Sequence, residues 1–307
     1  MKLKTLIIDE LSEYFDNLVI ERGLSDYFYR DIPNPDDIGI IIVKTFTKVD
    51  SALLKKYPRL KMIIRAGTGY DNIDLEEAGK RGVVVCNTPE ANVMAAFEQT
   101  LSFVFALLKQ HQLGKANLQK RRWKEGHCLN LEIGDLKALI VGVGRIGSRV
   151  ARFLREFGAE VYGVDPYLTT DEWREREAHH VNYQEGLKLC NLITYHCPLK
   201  AETEDYFSEA TLKQLTHPVW LINTARGGIV NEQALLKGLK EGMILGAGLD
   251  VFEDEPDPQI PFGDFDNVYM TPHTGAYTAA ARRRMAVELL KVWEAFIFHQ
   301  RVINEVK

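Results

Sequence analysis

The chain has no cysteine pair. Its four cysteines, Cys86, Cys128, Cys190 and Cys197, are scattered with no C-x-x-C spacing. That excludes a disulfide framework and a zinc ribbon, leaves no metal site to expect, and predicts reduced thiols in a cytoplasmic protein. A basic excess is missing too. Lysine and arginine number 38 against 43 acidic residues, a net charge of −5, so nucleic acid is not an expected partner. The short clusters Lys120-Arg121-Arg122 and Arg282-Arg283-Arg284 sit beside helical patterns and read as solvated helix faces. No run approaches the roughly 18 apolar residues of a membrane helix. The N-terminal run is short and ends in Asp9, unlike a signal peptide. Internal repeats and low-complexity segments are absent.

What is present is an ordinary globular composition over 307 residues, 46% hydrophobic and 26% charged, with length for about two domains. Short apolar runs alternate with helical patterns. Runs at Leu3 to Asp9, Gly39 to Val43, Met62 to Arg65 and Val83 to Cys86 read as strands. Between them, helices are expected at Glu13 to Glu21, Ser51 to Lys56 (capped by Asp50) and Asp74 to Lys80. A long apolar helix follows from Asn92 to about Gln110, continued weakly to Lys120. Being apolar over most of its circumference, it is expected to be buried on most sides, as a core helix or a bridge between domains or subunits. Further strands are expected at Leu192 to Tyr195, Val219 to Asn223 and Gly246 to Val251, and a closing helix from about Thr278 to His299. This alternation predicts an α/β protein of two doubly wound parallel-sheet (Rossmann-like) domains.

The most specific stretch runs from Ala138 to Asp165. An apolar run ends in Gly142, Gly144 and Gly147, spaced G-x-G-x-x-G, then a helical pattern leads to a second apolar run ending in Asp165. This is the layout of a dinucleotide-binding βαβ unit. The first glycine allows a sharp turn, the second lets a pyrophosphate approach, and the third lets helix pack on strand. The helix N-terminus then offers free N–H groups to phosphate. Asp165 stands 18 residues past the third glycine, near the rule's roughly 20, where a carboxylate holds ribose hydroxyls and repels a 2′-phosphate. NAD is therefore expected over NADP. The plainer reading is a tight turn without ligand, and a methyl-donor enzyme can also carry an acid there.

In an open parallel sheet, ligands bind beyond the carboxyl ends of the strands. His196, Asn223 to Gly228 and Asp250 to Glu255 fall at such ends. Arg226, Glu255 and His273 are the three ionisable residues that stand out in these loops. A guanidinium can grip a carboxylate with two bonds. A histidine can exchange a hydroxyl proton as hydride moves, and a carboxylate beside it orients the ring. Each alone also has a plainer reading: Glu255 as a surface acid, His273 as a loop histidine, Arg226 as a phosphate or surface contact.

Several motifs in order give the chain a resemblance. They are Arg65 to Asp74 (RAGTGYDNID), Asn87-Thr88-Pro89 with Asn92 and Ala96-Phe97-Glu98, Gly142 to Gly147, His196 to Leu199, Asn223 to Gly228, Asp250 to Pro256 and Thr271 to Ala276. Over nearly its whole length the chain resembles the D-isomer-specific 2-hydroxyacid dehydrogenases, most of all the short D-3-phosphoglycerate dehydrogenases. The resemblance implies a catalytic set of Arg226, Glu255 and His273. It implies NAD contacts at Thr68, Gly142, Gly144, Arg145, Ile146, Gly147, Asp165, Cys197, Thr224, Ala225, Asp250, Gly275 and Ala276. It implies a substrate held by Lys44, Thr45, Ala66, Gly67, Gly69 and Arg226. A substrate domain of 1–98 plus 281–307 and an NAD domain of 99–280 follow, with the helix after Asn92 helping to form a homodimer.

Two departures bear on the substrate. Phosphoglycerate members commonly carry Arg-Ser where this chain has Lys44-Thr45, and a basic run after the tryptophan matching Trp123, where this chain has Lys124-Glu125-Gly126-His127. A lysine binds phosphate as a point charge, without a fork. Both departures raise glyoxylate, hydroxypyruvate or another small 2-oxo acid as alternatives. No C-terminal regulatory domain, and hence no serine feedback, is expected. A co-repressor-like NAD(H) sensor is a reading from another class, but the chain keeps all three acid–base and carboxylate-binding residues. Formate oxidation would pair the histidine with glutamine, and Glu255 opposes it.

Overall fold

A computed structural model describes residues 3–31, 34–123, 125–126 and 130–306. Cys128 and the Lys124 and His127 positions after Trp123 lie outside the described residues. The chain forms two compact units, 1–94 with 276–307, and 95–275. No helix among the described residues is long and apolar enough to cross a membrane.

The first unit holds β1 (Lys4–Ile7), β2 (Phe28–Tyr29), β3 (Ile38–Val43), β4 (Met62–Arg65) and β5 (Val84–Asn87). They form one sheet in the order β2-β1-β3-β4-β5, with every pairing parallel. β3 is six consecutive buried residues, because both faces of a parallel sheet are covered. Ile40 and Ile42 face one layer with Met62, Ile64 and Trp293, while Ile38, Ile41 and Val43 face the other with Leu54 and Ile63. Trp293, from the closing helix Ala279–His299, is fully buried and donates its indole N–H to Thr5 Oγ1 at 2.8 Å. Asp50 caps Ser51–Lys56 by accepting from the Ala52 and Leu53 amides.

The second unit holds β6 (Lys137–Val141), β7 (Glu160–Val164), β8 (His179–His180), β9 (Leu192–Tyr195), β10 (Val219–Asn223), β11 (Ile244–Leu249) and β12 (Val268–Met270). Their order is β12-β11-β10-β9-β6-β7-β8, again parallel throughout. Strand order reverses between β6 and β9, which makes their carboxyl ends the crevice where such sheets bind ligands. The expected α/β architecture of two parallel doubly wound sheets is the observed one. The strands that pattern alone did not mark, β2, β8 and β12, are two or three residues long, too short for periodicity to register.

The long helix departs from expectation. It stops at Lys109, Gln110 takes a left-handed conformation (φ 50°), and a separate helix runs from His111 to Gln119. It is buried on most sides, as expected, with Met94 and Phe105 42% and 37% exposed.

Candidate active site

The glycine loop follows β6 directly. Gly142 has φ +90°, and a Cβ there would lie 2.6 Å from the Cys197 amide nitrogen. At Gly147, the first residue of the helix Gly147–Glu156, a Cβ would lie 2.0 Å from the Gly142 carbonyl oxygen. Neither position admits a side chain. Gly144 faces open space instead, the condition a pyrophosphate needs. Arg145 is exposed and its carbonyl accepts from Arg149 Nη1, while Ile146 immediately precedes the helix. Asp165, just past β7, accepts from the Val143 amide through Oδ2 and the Tyr167 amide through Oδ1, both at 3.0 Å. Each carboxylate oxygen keeps a lone pair for a ribose hydroxyl. Opposite the loop, packing pushes the Cys197 thiol up to about 12 and the His196 imidazole down to about 3. His196 is therefore neutral at neutral pH, and its Nε2 lies 2.9 Å from Thr194 Oγ1. These residues fit a dinucleotide.

β10, β11 and β12 deliver the ionisable set, Arg226, Glu255 and His273 in turn. Asn223, the buried last residue of β10, accepts from the Ala225 amide and donates to the Arg226 carbonyl at 2.8 Å. Arg226 Nη1 donates to the Ala225 carbonyl at 2.7 Å. Gly227 then packs on the turn after β11: a Cβ would stand 1.8 Å from the Phe252 carbonyl oxygen. Within that turn Glu255 accepts from the Phe252 amide through Oε1 at 3.0 Å, and its Oε2 lies 2.6 Å from His273 Nδ1. Burial pushes the Glu255 carboxyl up, but the His273 hydrogen bond, the positive charges of His273 and Arg226 and the Phe252 amide outweigh it and hold it below the ordinary carboxylate range. An ionised Glu255 makes Nδ1 the donor and leaves His273 Nε2 for a substrate oxygen.

His273 has a left-handed backbone (φ 50°), which costs a non-glycine residue free energy unless its surroundings enforce it. Asp250, 3% exposed, supplies that enforcement. Its carbonyl accepts from the His273 amide at 2.7 Å. Its carboxylate accepts from Thr271 Oγ1 (2.5 Å) and the amides of Thr274 (2.9 Å) and Gly275 (2.8 Å). Gln99 donates to Thr271 Oγ1, and Thr100 Oγ1 pairs with Thr224 Oγ1 at 2.9 Å. Gln99 and Thr100 were not singled out from sequence, and Thr271 only as the first residue of the Thr271 to Ala276 motif. Gln99 reaches Thr271 across 172 residues, Thr100 reaches Thr224 across 124, and Thr271 reaches Asp250 across 21.

The remaining sequence candidates lie in the first unit. Lys44 donates its amide to Asp9 Oδ2, and Thr45 Oγ1 accepts from Arg65 Nη2 at 3.0 Å. Ala66 donates to the Val43 carbonyl and Gly67 to Thr88 Oγ1. The Thr68 carbonyl accepts from Asn87, and Gly69 is partly exposed. Lys44, Thr45 and 66–69 thus cluster at the carboxyl ends of β3 and β4. Ala276 begins the unit's C-terminal segment, its carbonyl accepting from the Thr278 amide.

Comparison with known proteins agrees with this geometry. Residues 101–275 match the model of the D-isomer specific 2-hydroxyacid dehydrogenase, NAD binding domain. The D-3-phosphoglycerate dehydrogenase of Bacillus subtilis (strain 168) is 34% identical over 290 residues, which cover 93% of this chain and 55% of that protein. The rat (Rattus norvegicus) D-3-phosphoglycerate dehydrogenase is 36% identical over 292 residues, with the same coverage. The chain thus spans about half the length of these relatives. Among solved structures, D-lactate dehydrogenase from Aquifex aeolicus, complexed with NAD and lactic acid, superposes with a TM-score of 0.86 at 29% identity, covering 96% of each chain. The chain belongs to the D-isomer-specific 2-hydroxyacid dehydrogenase family, and its second unit carries that family's NAD-binding domain.

Proposed function

We propose that the protein is an NAD-dependent oxidoreductase that interconverts a D-2-hydroxy acid and its 2-oxo acid. The observation that carries this reading is the 2.6 Å contact between His273 Nδ1 and Glu255 Oε2 on the turn that Gly227, the residue after Arg226, packs against. NAD, held with its pyrophosphate at the glycine loop, would supply or accept the hydride. In the reducing direction His273 Nε2 gives its proton to the carbonyl oxygen. Glu255 stays ionised and stabilises the imidazolium before transfer. Arg226 holds the substrate carboxylate as a planar fork. Of residues 66–69 at the carboxyl end of β4, Ala66, Gly67 and Gly69 are assigned to the substrate and Thr68 to the cofactor, and Thr224 and Ala225, after β10, are assigned to the cofactor.

The D-3-phosphoglycerate dehydrogenase relatives support a phosphorylated substrate, with Lys44 and Thr45 on its phosphate. Lysine in place of the family's arginine favours a second reading, a glyoxylate or hydroxypyruvate reductase. A panel of phosphohydroxypyruvate, hydroxypyruvate, glyoxylate, pyruvate and 2-oxoglutarate with NADH tests both. No oxidation of NADH with any of them would refute the enzyme reading.

Self-association as a homodimer has support in one apolar surface. Phe105 and Phe157, 37% and 55% exposed, flank Phe153 with ring centroids 6.3 and 4.5 Å from it. Sedimentation velocity of the wild type and Phe105→Glu tests it, and a monomeric wild type would refute it. The free thiols of Cys86, Cys190 and Cys197 suit a reducing cytoplasm.

A further inference from the structure

The turn that carries Glu255 is tied to the next helix by two carboxylates that the reaction does not use. Glu232 is the first residue of the helix Glu232–Lys240. Its Oε1 accepts from the Glu253 amide at 3.0 Å, while Glu253 Oε1 accepts from the Glu232 amide at 2.8 Å. The exchange works like a capping box closed across 21 residues of chain. Two acids side by side are an expensive way to hold a turn. Burial and the nearby charges of Glu253 and Asp254 push the Glu232 carboxyl up, and the Glu253 amide only partly offsets them. Each carboxylate accepts from a backbone donor, which ties the start of the helix to the turn.

The consequence is geometric. Gly227 blocks the turn from one side through the Phe252 carbonyl. Glu255 Oε1 bonds the Phe252 amide inside the turn. Glu232 bonds the next amide along, that of Glu253. With 252 and 253 both held, Glu255 Oε2 lies 2.6 Å from His273 Nδ1. The geometry points to Glu232 as a positioning residue that, through the Glu253 amide, fixes the turn aiming Glu255 at His273. Glu232 touches neither substrate nor cofactor in this role. The inference deepens the proposed dehydrogenase activity and rests on it for its kinetic arm.

The test compares Glu232→Ala with Glu232→Gln in the full chain. Glutamine keeps the acceptor oxygen, and alanine removes it. In Glu232→Ala, hydrogen exchange of the Glu253 and Phe252 amides accelerates about tenfold or more while the strands stay protected. With the best oxo acid of the panel, kcat falls about tenfold, and NADH affinity measured by fluorescence titration holds within twofold. Glu232→Gln restores both readouts to near wild type. Equal losses in the two variants, unchanged exchange and kcat in Glu232→Ala, or a loss accompanied by strand-wide exchange would each overturn the proposal. If the wild type turns over no 2-oxo acid, the enzyme reading fails on its own account, and the exchange comparison still decides whether Glu232 holds the turn.

Discussion

Glu255 and His273 stand 18 positions apart in sequence and 2.6 Å apart in space, Oε2 to Nδ1. The contact orients the imidazole and leaves Nε2 for the proton transfer proposed above. His273→Ala should therefore lower kcat by about 10²- to 10⁴-fold while NADH still binds in a fluorescence titration. Turnover near wild type would remove His273 from the acid–base role.

Arg226→Lys keeps the charge and loses the fork. The KM for the oxo acid should rise at least about tenfold, a loss of order 1.4 kcal/mol, with the KM for NADH little changed. A parallel rise in both would place Arg226 on the cofactor instead.

Asp165 holds the Val143 and Tyr167 amides and is expected to meet the cofactor ribose, and its replacement should show both. Wild type should prefer NADH, since a carboxylate there repels a 2′-phosphate. Asp165→Ala removes that repulsion and also the acceptor for the Val143 and Tyr167 amides. Its NADH affinity should fall and its discrimination against NADPH shrink. Equal catalytic efficiency of the wild type with both cofactors would contradict the assignment.

Gly227→Ala would put a methyl group 1.8 Å from the Phe252 oxygen. Backbone faces backbone there, so the two turns must separate. We expect a destabilisation of about 1–3 kcal/mol, read as a lower thermal midpoint, together with a loss of kcat larger than that of NADH binding.

His196 sets a pH dependence of stability. Its imidazole is pushed down to about 3 by burial, against about 6.5 in an unfolded chain. Between these values the unfolded state takes up a proton that the folded state refuses, so stability falls as pH drops from about 6.5 toward 3. Chemical denaturation of His196→Asn across that window should give a shallower fall than wild type. Parallel slopes would show that His196 titrates normally when folded.

Much of this site is written in local sequence. The helix Ser51–Lys56 begins after its Asp50 cap, and β4, β9 and β10 occupy the apolar runs that mark them. These features are local, because periodicity, caps and glycine turns act over a few residues. The G-x-G-x-x-G turn belongs with them, since the Cβ clash between Gly147 and Gly142 involves residues five apart.

Other features could not be read locally. Nothing near Gln110 signals that the long helix must break there. Nothing near Glu232 predicts a partner 21 residues on. Nothing near Asp250 predicts that its carboxylate holds Thr271, Thr274 and Gly275. By itself the sequence determined the alternating strands and helices, the dinucleotide turn and the kinds of residue available for chemistry. Only the tertiary structure decided which of them meet. Hydrogen bonds between loops depend on strand order and on backbone packing as close as that of Gly227 on Phe252, and neither exists until the sheet has assembled.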